Sequence, residues 1–226
     1  MTRVAVFTAV DLEARTLARL LGLPALGGDD WPHFGDGALE LICVGPRARL
    51  LETRAVRLAP PALVVSAGVC GALSPELREG DLVVPEAVLG PGGERLATAE
   101  VGGLARAGAL ATVTDVVSTP AAKARLWVET RALACDMESA AVLAWARARG
   151  VPAAVIRGVS DPADRGVPAD LAAVVEPDGR VRTVRAVRAV LARPRAIADA
   201  MTLRRGTAAA LKAVAQALGR LARERA

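Results

Sequence analysis

Residues Cys135–Asp164, CDMESAAVLAWARARGVPAAVIRGVSDPAD, decide the fold. They read as an acidic corner, a helix, a buried strand and a second acidic corner. Asp136-Met137-Glu138-Ser139 opens the helix. Ala140, Val142, Leu143 and Trp145 give it an apolar side, and Arg147 and Arg149 lie near its C-terminal end, where the helix dipole favours cations. Gly150 suits the left-handed residue that ends a helix, and Pro152 prevents continuation. AAVIRGV then has the length of a buried strand, and its end delivers Ser160, Asp161 and Pro162 to a loop. In open α/β sheets, ligands bind beyond the carboxyl ends of the strands. Two such ends here carry carboxylates, Glu138 and Asp161.

The rest of the chain repeats the alternation. Val4–Ala9 is the first strand, and Asp11–Leu21 a helix stopped by Gly22 and Pro24, which puts Asp11 and Glu13 at a strand's carboxyl end. Residues 25–37 are turn-rich, with His33 expected at the surface. Leu39–Val44 is a strand, and Gly45-Pro46-Arg47-Ala48-Arg49 breaks into a helix reaching about Leu58. Leu63–Gly68 is a buried strand followed by a turn, Val69–Leu73. Its glycines Gly68 and Gly71 let backbone N–H groups approach a ligand with no Cβ in the way. Residues 86–108 read as a surface excursion, Ala109–Thr114 as a strand and Ala121–Arg131 as a short helix.

Composition narrows the classes. The chain has 226 residues, 53% of them apolar, enough for one α/β domain with a full core. The net charge of +5 is unevenly placed: residues 1–179 hold 17 Lys and Arg against 22 Asp and Glu, and the excess of cations follows residue 180. A basic end suggests an acidic partner surface. Aromatic residues are only 2%, with no stacking platform and no zinc pattern, which argues against a nucleic-acid partner. Cys43, Cys70 and Cys135 form no CxxC and accompany a single histidine, so no metal is expected and buried free thiols are the default. Cys70 has no adjacent His or second Cys to make it a nucleophile. The start of the chain lacks signal-peptide features, and a cytoplasmic protein is expected.

The phrases DMESAAVL and VIRGVSDPAD resemble the nucleoside phosphorylase and nucleosidase family. The resemblance implies a single α/β domain, residues 1–226, with a central mixed twisted sheet flanked by helices and an extended basic C-terminal helical segment. It implies cleavage of an N-glycosidic bond without metal or organic cofactor, phosphate being a co-substrate in the phosphorylase branches. Met137 and Glu138 correspond to the ribose contacts. Ser160 and Asp161 correspond to the pair that meets the purine, with Asp161 protonating N7. Glu13 aligns with the acid that activates water in the nucleosidase branch. Phosphorylase branches instead carry an arginine loop there, so Arg15, or Arg47 in the next loop, is the candidate phosphate ligand. Gly68, Val69 and Gly71 match the family's Gly-x-x-Gly segment. Val117 and Ser118 match the base clamp, without the usual aromatic side chain. At Arg47 the family's second loop glycine is replaced.

Residues 180–226 are basic and amphipathic. Val184, Val187, Val190 and Leu191 share one face, as do Leu211, Val214, Leu218 and Leu221 after breaks at Pro194 and Gly206. That face either closes the core or a subunit contact, or lies on a membrane. DPADRGVPADL, EPDGRV and VRAVLARPR resemble the hopanoid-associated phosphorylase subgroup, which implies adenosylhopane as a lipid-linked purine nucleoside substrate, with the inner membrane face as a peripheral location. Methylthioadenosine/adenosylhomocysteine and futalosine nucleosidases are the neighbouring branches, and homo-oligomers are usual in the family.

Overall fold

A computed structural model describes residues 3–28, 30–167, 179 and 196–225. Strand β4 (Leu63–Ala72) is its spine. Along its first half β4 pairs in parallel with β1 (Val4–Thr8), Val4 opposite Leu63 and Phe7 opposite Ser66. On its other side lies β10 (Ala153–Asp161), also parallel, from Val64 to Gly71. At its far end β9 (Ala134–Asp136) takes over antiparallel, Gly71 opposite Cys135. The sheet continues outward through β3 (Leu39–Cys43) and β2 (His33–Gly35) on one flank. On the other it runs through β8 (Ala109–Thr112), β6 (Ala87–Leu89) and β7 (Arg95–Ala97). Strand β5 (Leu82–Val83) pairs antiparallel with β10. The result is the expected mixed α/β sheet. Its central strands read as unbroken apolar runs because both faces are covered.

The helices follow from local signals. Helix α1 (Asp11–Leu21) ends at Gly22, whose φ of 70° supplies the left-handed turn. A short 3₁₀ turn (Pro46–Ala48) and α2 (Leu51–Ala55) replace the single helix expected to reach Leu58. Helix α3 (Pro120–Thr130) is capped by the Thr119 hydroxyl, which accepts from the Ala122 N–H at 3.2 Å. Helix α4 (Ser139–Ala148) and α5 (Ala196–Arg225) complete the set.

Four expectations change. The turn read at Val69–Leu73 is not a turn: β4 runs on through Ala72, because its ladder to β10 continues past Gly68. The excursion at 86–108 contains the β6–β7 hairpin, short enough to hide in a glycine-rich stretch. His33 is buried, stacked on Trp31 and 2.9 Å from Glu40. Gly206 does not break the helix. It lies within α5, where a Cβ would overlap the Ser160 carbonyl oxygen, so glycine lets α5 pass close over the end of β10.

The described C-terminal helix is core. Leu211, Val214, Leu218 and Leu221 are buried with Leu17 and Ala18 of α1, Val65 and Ala67 of β4 and Ile156 of β10. The apolar face is therefore spent on the sheet and not on a membrane. Val184, Val187, Val190, Leu191 and Pro194 lie outside the described residues. Among the described residues no helix is long and apolar enough to cross a membrane. Leu218→Ala is expected to cost about 2–5 kcal/mol and lower the melting temperature by several degrees, as for a full core leucine. Calorimetry showing unchanged melting would mean the helix is only loosely attached.

Candidate active site

The carboxyl ends of β1, β9 and β10 bring three buried acids around the middle and end of β4. Glu13, in the first turn of α1, turns back across the β1–α1 junction. Its Oε2 accepts the N–H groups of Ala9 (3.0 Å) and Val10 (3.2 Å), and Oε1 accepts that of Val69 (2.8 Å). Gly68 makes this possible. Its φ of 146° is open to glycine, and a Cβ there would collide with the Glu13 carboxylate and the Arg157 guanidinium. Glu138 precedes α4 and accepts the Arg47 backbone N–H at 2.9 Å. Arg47 and Ala48 hold φ values of 57° and 52°, a left-handed geometry that costs a non-glycine residue energy.

Arg157, on β10, lies beneath both acids and is 1% exposed. Its Nη2 is 2.6 Å from Asp136 Oδ2, 3.8 Å from Glu138 Oε2 and 2.9 Å from Ser66 Oγ. Asp136 is fixed by Thr112 Oγ1 (2.7 Å) and by the Ser139 hydroxyl (2.5 Å) and N–H (3.0 Å). Nε and Nη1 of Arg157 are buried and have no hydrogen-bond partner among the described residues. A buried guanidinium N–H left unpaired is costly, a cost offset here by the acids around the cation.

Electrostatics follow from that crowding. Burial raises the pKa of Glu13, against the lowering effect of Arg157 and three backbone N–H groups. Burial also raises Glu138, to about 7, opposed by Arg157 and reinforced by Asp136 and Glu13. Burial works against the Arg157 cation, but Asp136, Glu138 and Glu13 outweigh it and raise its pKa. The thiols are pushed up by burial, Cys43 and Cys135 to about 12 and Cys70 well above its ordinary value, which leaves them protonated.

Asp161 ends β10, buried against Gly71, and its Oδ1 accepts the Ser160 hydroxyl at 2.6 Å. The charge beside it is a cation. It is Lys123 of α3, with Nζ 2.5 Å from Oδ2.

Other candidates are placed less centrally. Met137 is half-buried beside Glu138. Val117 packs on the cluster of Leu73, Ala111 and Cys135, and the Ser118 carbonyl is taken by the Val167 N–H at 2.9 Å. Arg15 is 64% exposed and faces Asp11 at 4.0 Å. Arg47 reaches outward, its Nε to the Thr114 carbonyl (2.7 Å) and Nη2 to Asp115 (3.4 Å). Sequence reasoning missed Arg157, Lys123 and Asp136. The usable signal was a single Arg inside the apolar run AAVIRGV, since a charge in a buried strand must be paired.

A profile described as the phosphorylase superfamily matches residues 43–103 and 94–193, together more than half of the chain. The chain belongs to the phosphorylase superfamily. It is an enzyme of N-glycosidic bond cleavage. A search of curated proteins returns no match. Solved structures of similar fold include futalosine hydrolase of Helicobacter pylori strain 26695, with TM-score 0.71 and 18% identity over 99% of this chain and 98% of that one. The 5'-methylthioadenosine/S-adenosylhomocysteine nucleosidase of Neisseria meningitidis, in complex with methylthio-immucillin-A, gives TM-score 0.71 and 17% identity over 99% of this chain and 100% of that one. The Helicobacter pylori nucleosidase of the same name, with butyl-thio-DADMe-Immucillin-A, gives TM-score 0.70 and 19% identity over 99% of both chains. At these identities the likeness is one of fold.

The raised Glu138 carboxyl has a measurable consequence. Between its unfolded value near 4.5 and about 7, the folded state binds the extra proton, so stability falls as pH rises through that window. The loss attributable to Glu138 is roughly 3 kcal/mol at most. Glu138→Gln should remove that component, flattening the denaturant midpoint between pH 5 and 8. An unchanged slope would show that Glu138 is not the group titrating there.

Proposed function

We propose that this protein hydrolyses the N-glycosidic bond of a purine nucleoside, and that its natural substrate is adenosylhopane. The observation carrying the hydrolytic reading is that a buried carboxylate, Glu13, packs against Gly68 at the carboxyl end of β1 with the Arg157 guanidinium beside it. A carboxylate so placed accepts a proton from water. A phosphate brought beside Glu13 would meet a like charge. Like charges about 4 Å apart repel by about 4 kcal/mol at an effective dielectric of 20. The exposure of Arg15 and the outward engagement of Arg47 also favour water over phosphate.

The roles then divide. Glu138 accepts the ribose hydroxyls and Met137 packs on the sugar, which keeps the reacting atoms within range. Asp161 protonates the purine at N7 as the bond to C1′ lengthens and the sugar gains oxocarbenium character. Glu13 takes a proton from the attacking water. A raised pKa suits a base working near neutral pH. The adenosylhopane assignment rests on the DPADR, DGRV and ARPR phrases, most of which fall outside the described residues. Methylthioadenosine and futalosine are the competing substrates, supported by the similar folds.

Chromatography of reactions with adenosine, methylthioadenosine, futalosine and an adenosyl-lipid, each with and without phosphate, tests this. Base release without phosphate, fastest from the adenosyl-lipid, is expected. Glu13→Gln should lower kcat by roughly 10²–10⁴-fold with little change in KM. A strict phosphate requirement would overturn hydrolysis, and preference for a water-soluble nucleoside would overturn the lipid assignment.

A further inference from the structure

We infer that Lys123 and Asp161 together, and not Asp161 alone, supply the proton to the departing base. The inference rests on Asp161 being the general acid of the proposed reaction. Lys123 is one of two lysines in the chain and the only buried residue named on α3, with 0% exposure. All three of its donors are committed: Asp161 Oδ2 at 2.5 Å, the Pro162 carbonyl at 2.8 Å and the Arg165 carbonyl at 2.9 Å. One ammonium thus fixes the acid and the loop that follows it. The Val167 N–H to Ser118 carbonyl bond ties that loop to the entry of α3 as well.

The groups around the pair are already occupied. Cys70 on β4 and Cys135 on β9 are held protonated by burial. Asp136 and Arg157 pair with each other, and Arg165 pairs with Glu79 on the surface. Among the described residues Lys123 is therefore the cation placed to deliver a proton to Asp161. Lysine suits the task because it can lose its proton when buried, whereas arginine does not.

The step balances. As the N-glycosidic bond breaks, its electron pair stays with the purine. A proton passes from Lys123 Nζ to Asp161 Oδ2, and the carboxylic acid so formed gives it to N7. Lys123 is left as a neutral amine and Asp161 as a carboxylate, while the sugar carbon carries the positive charge. Water adding to that carbon gives one proton to Glu13, which passes it to solvent, and Lys123 takes one up from solvent to restore the ammonium. Lys123 acts through Asp161 and is a positioning residue in this sense.

Lys123→Arg keeps the charge and the donors but cannot give up its proton, and Lys123→Met removes both. On whichever nucleoside the wild type cleaves, each variant should lose roughly 10²-fold or more in kcat at pH 7.5, with KM nearly unchanged. For Lys123→Met the deficit should shrink as pH falls to 5, where Asp161 takes its proton from solvent. Asp161→Asn should show no such recovery. A Lys123→Arg enzyme with wild-type kcat, or a Lys123→Met deficit equal at every pH, overturns the inference. A readout without turnover accompanies this. Lys123→Met leaves a buried carboxylate alone, so its stability deficit should shrink toward pH 5 and be relieved in Lys123→Met/Asp161→Asn. A deficit constant with pH overturns the charged pair. Absence of base release by the wild type would instead defeat the functional assignment, leaving the pair to be judged by unfolding.

Discussion

The Arg157 guanidinium is the interaction on which the site depends. A cation in the middle of a central strand is expensive to bury, and removing one partner of a buried pair costs more than never having built it. Here the cation is surrounded by Asp136 and Glu138 at the end of β9 and by Glu13 beyond the end of β1. Asp136 takes the closest contact and is itself locked by Thr112 and Ser139. Burial of the other two acids outweighs the help they receive from Arg157, so both hold protons more tightly than ordinary carboxylates. One buried charge thus aligns the start of α4, the β1–α1 junction and β10, and pulls two carboxyl groups back part of the way that burial raises them.

Much of the fold was legible because both helical and strand periodicities are clean. Helix α1 has the bounds its apolar spacing predicts, and β1, β3 and β10 fall on their apolar runs. The failures share a cause. The turn expected after Gly68 rested on glycine as punctuation, as did the break expected at Gly206. In both places glycine serves close approach: a carboxylate and a guanidinium against Gly68, a carbonyl against Gly206. Local sequence does not distinguish a glycine that turns the chain from one that makes room for a distant neighbour. The two acidic corners were readable because motif and strand end coincide. Lys123 was not, because its meaning lies in a contact 38 positions away.

Arg47 shows the limit of reading side chains by type. An arginine in a loop near a nucleoside site suggests an anion ligand. Here the backbone of Arg47 performs the local function, donating to Glu138 from a left-handed conformation. Its guanidinium reaches instead to Thr114 and Asp115, across to the loop after β8. Those outward bonds help offset the strain of holding a non-glycine residue at positive φ.

The packing of α5 bears on how the protein is made. Leu211, Val214 and Leu218 complete the same apolar cluster as Val4, Val6, Leu17 and Leu41. Strand β1 and helix α1 therefore wait for part of their covering while roughly 175 intervening residues are translated, a span that takes on the order of ten seconds or more at ribosomal rates. Until α5 docks, the apolar faces of β1 and α1 lack the side chains that complete their cluster. An apolar surface that waits so long for its partner is the kind that chaperones shield during synthesis.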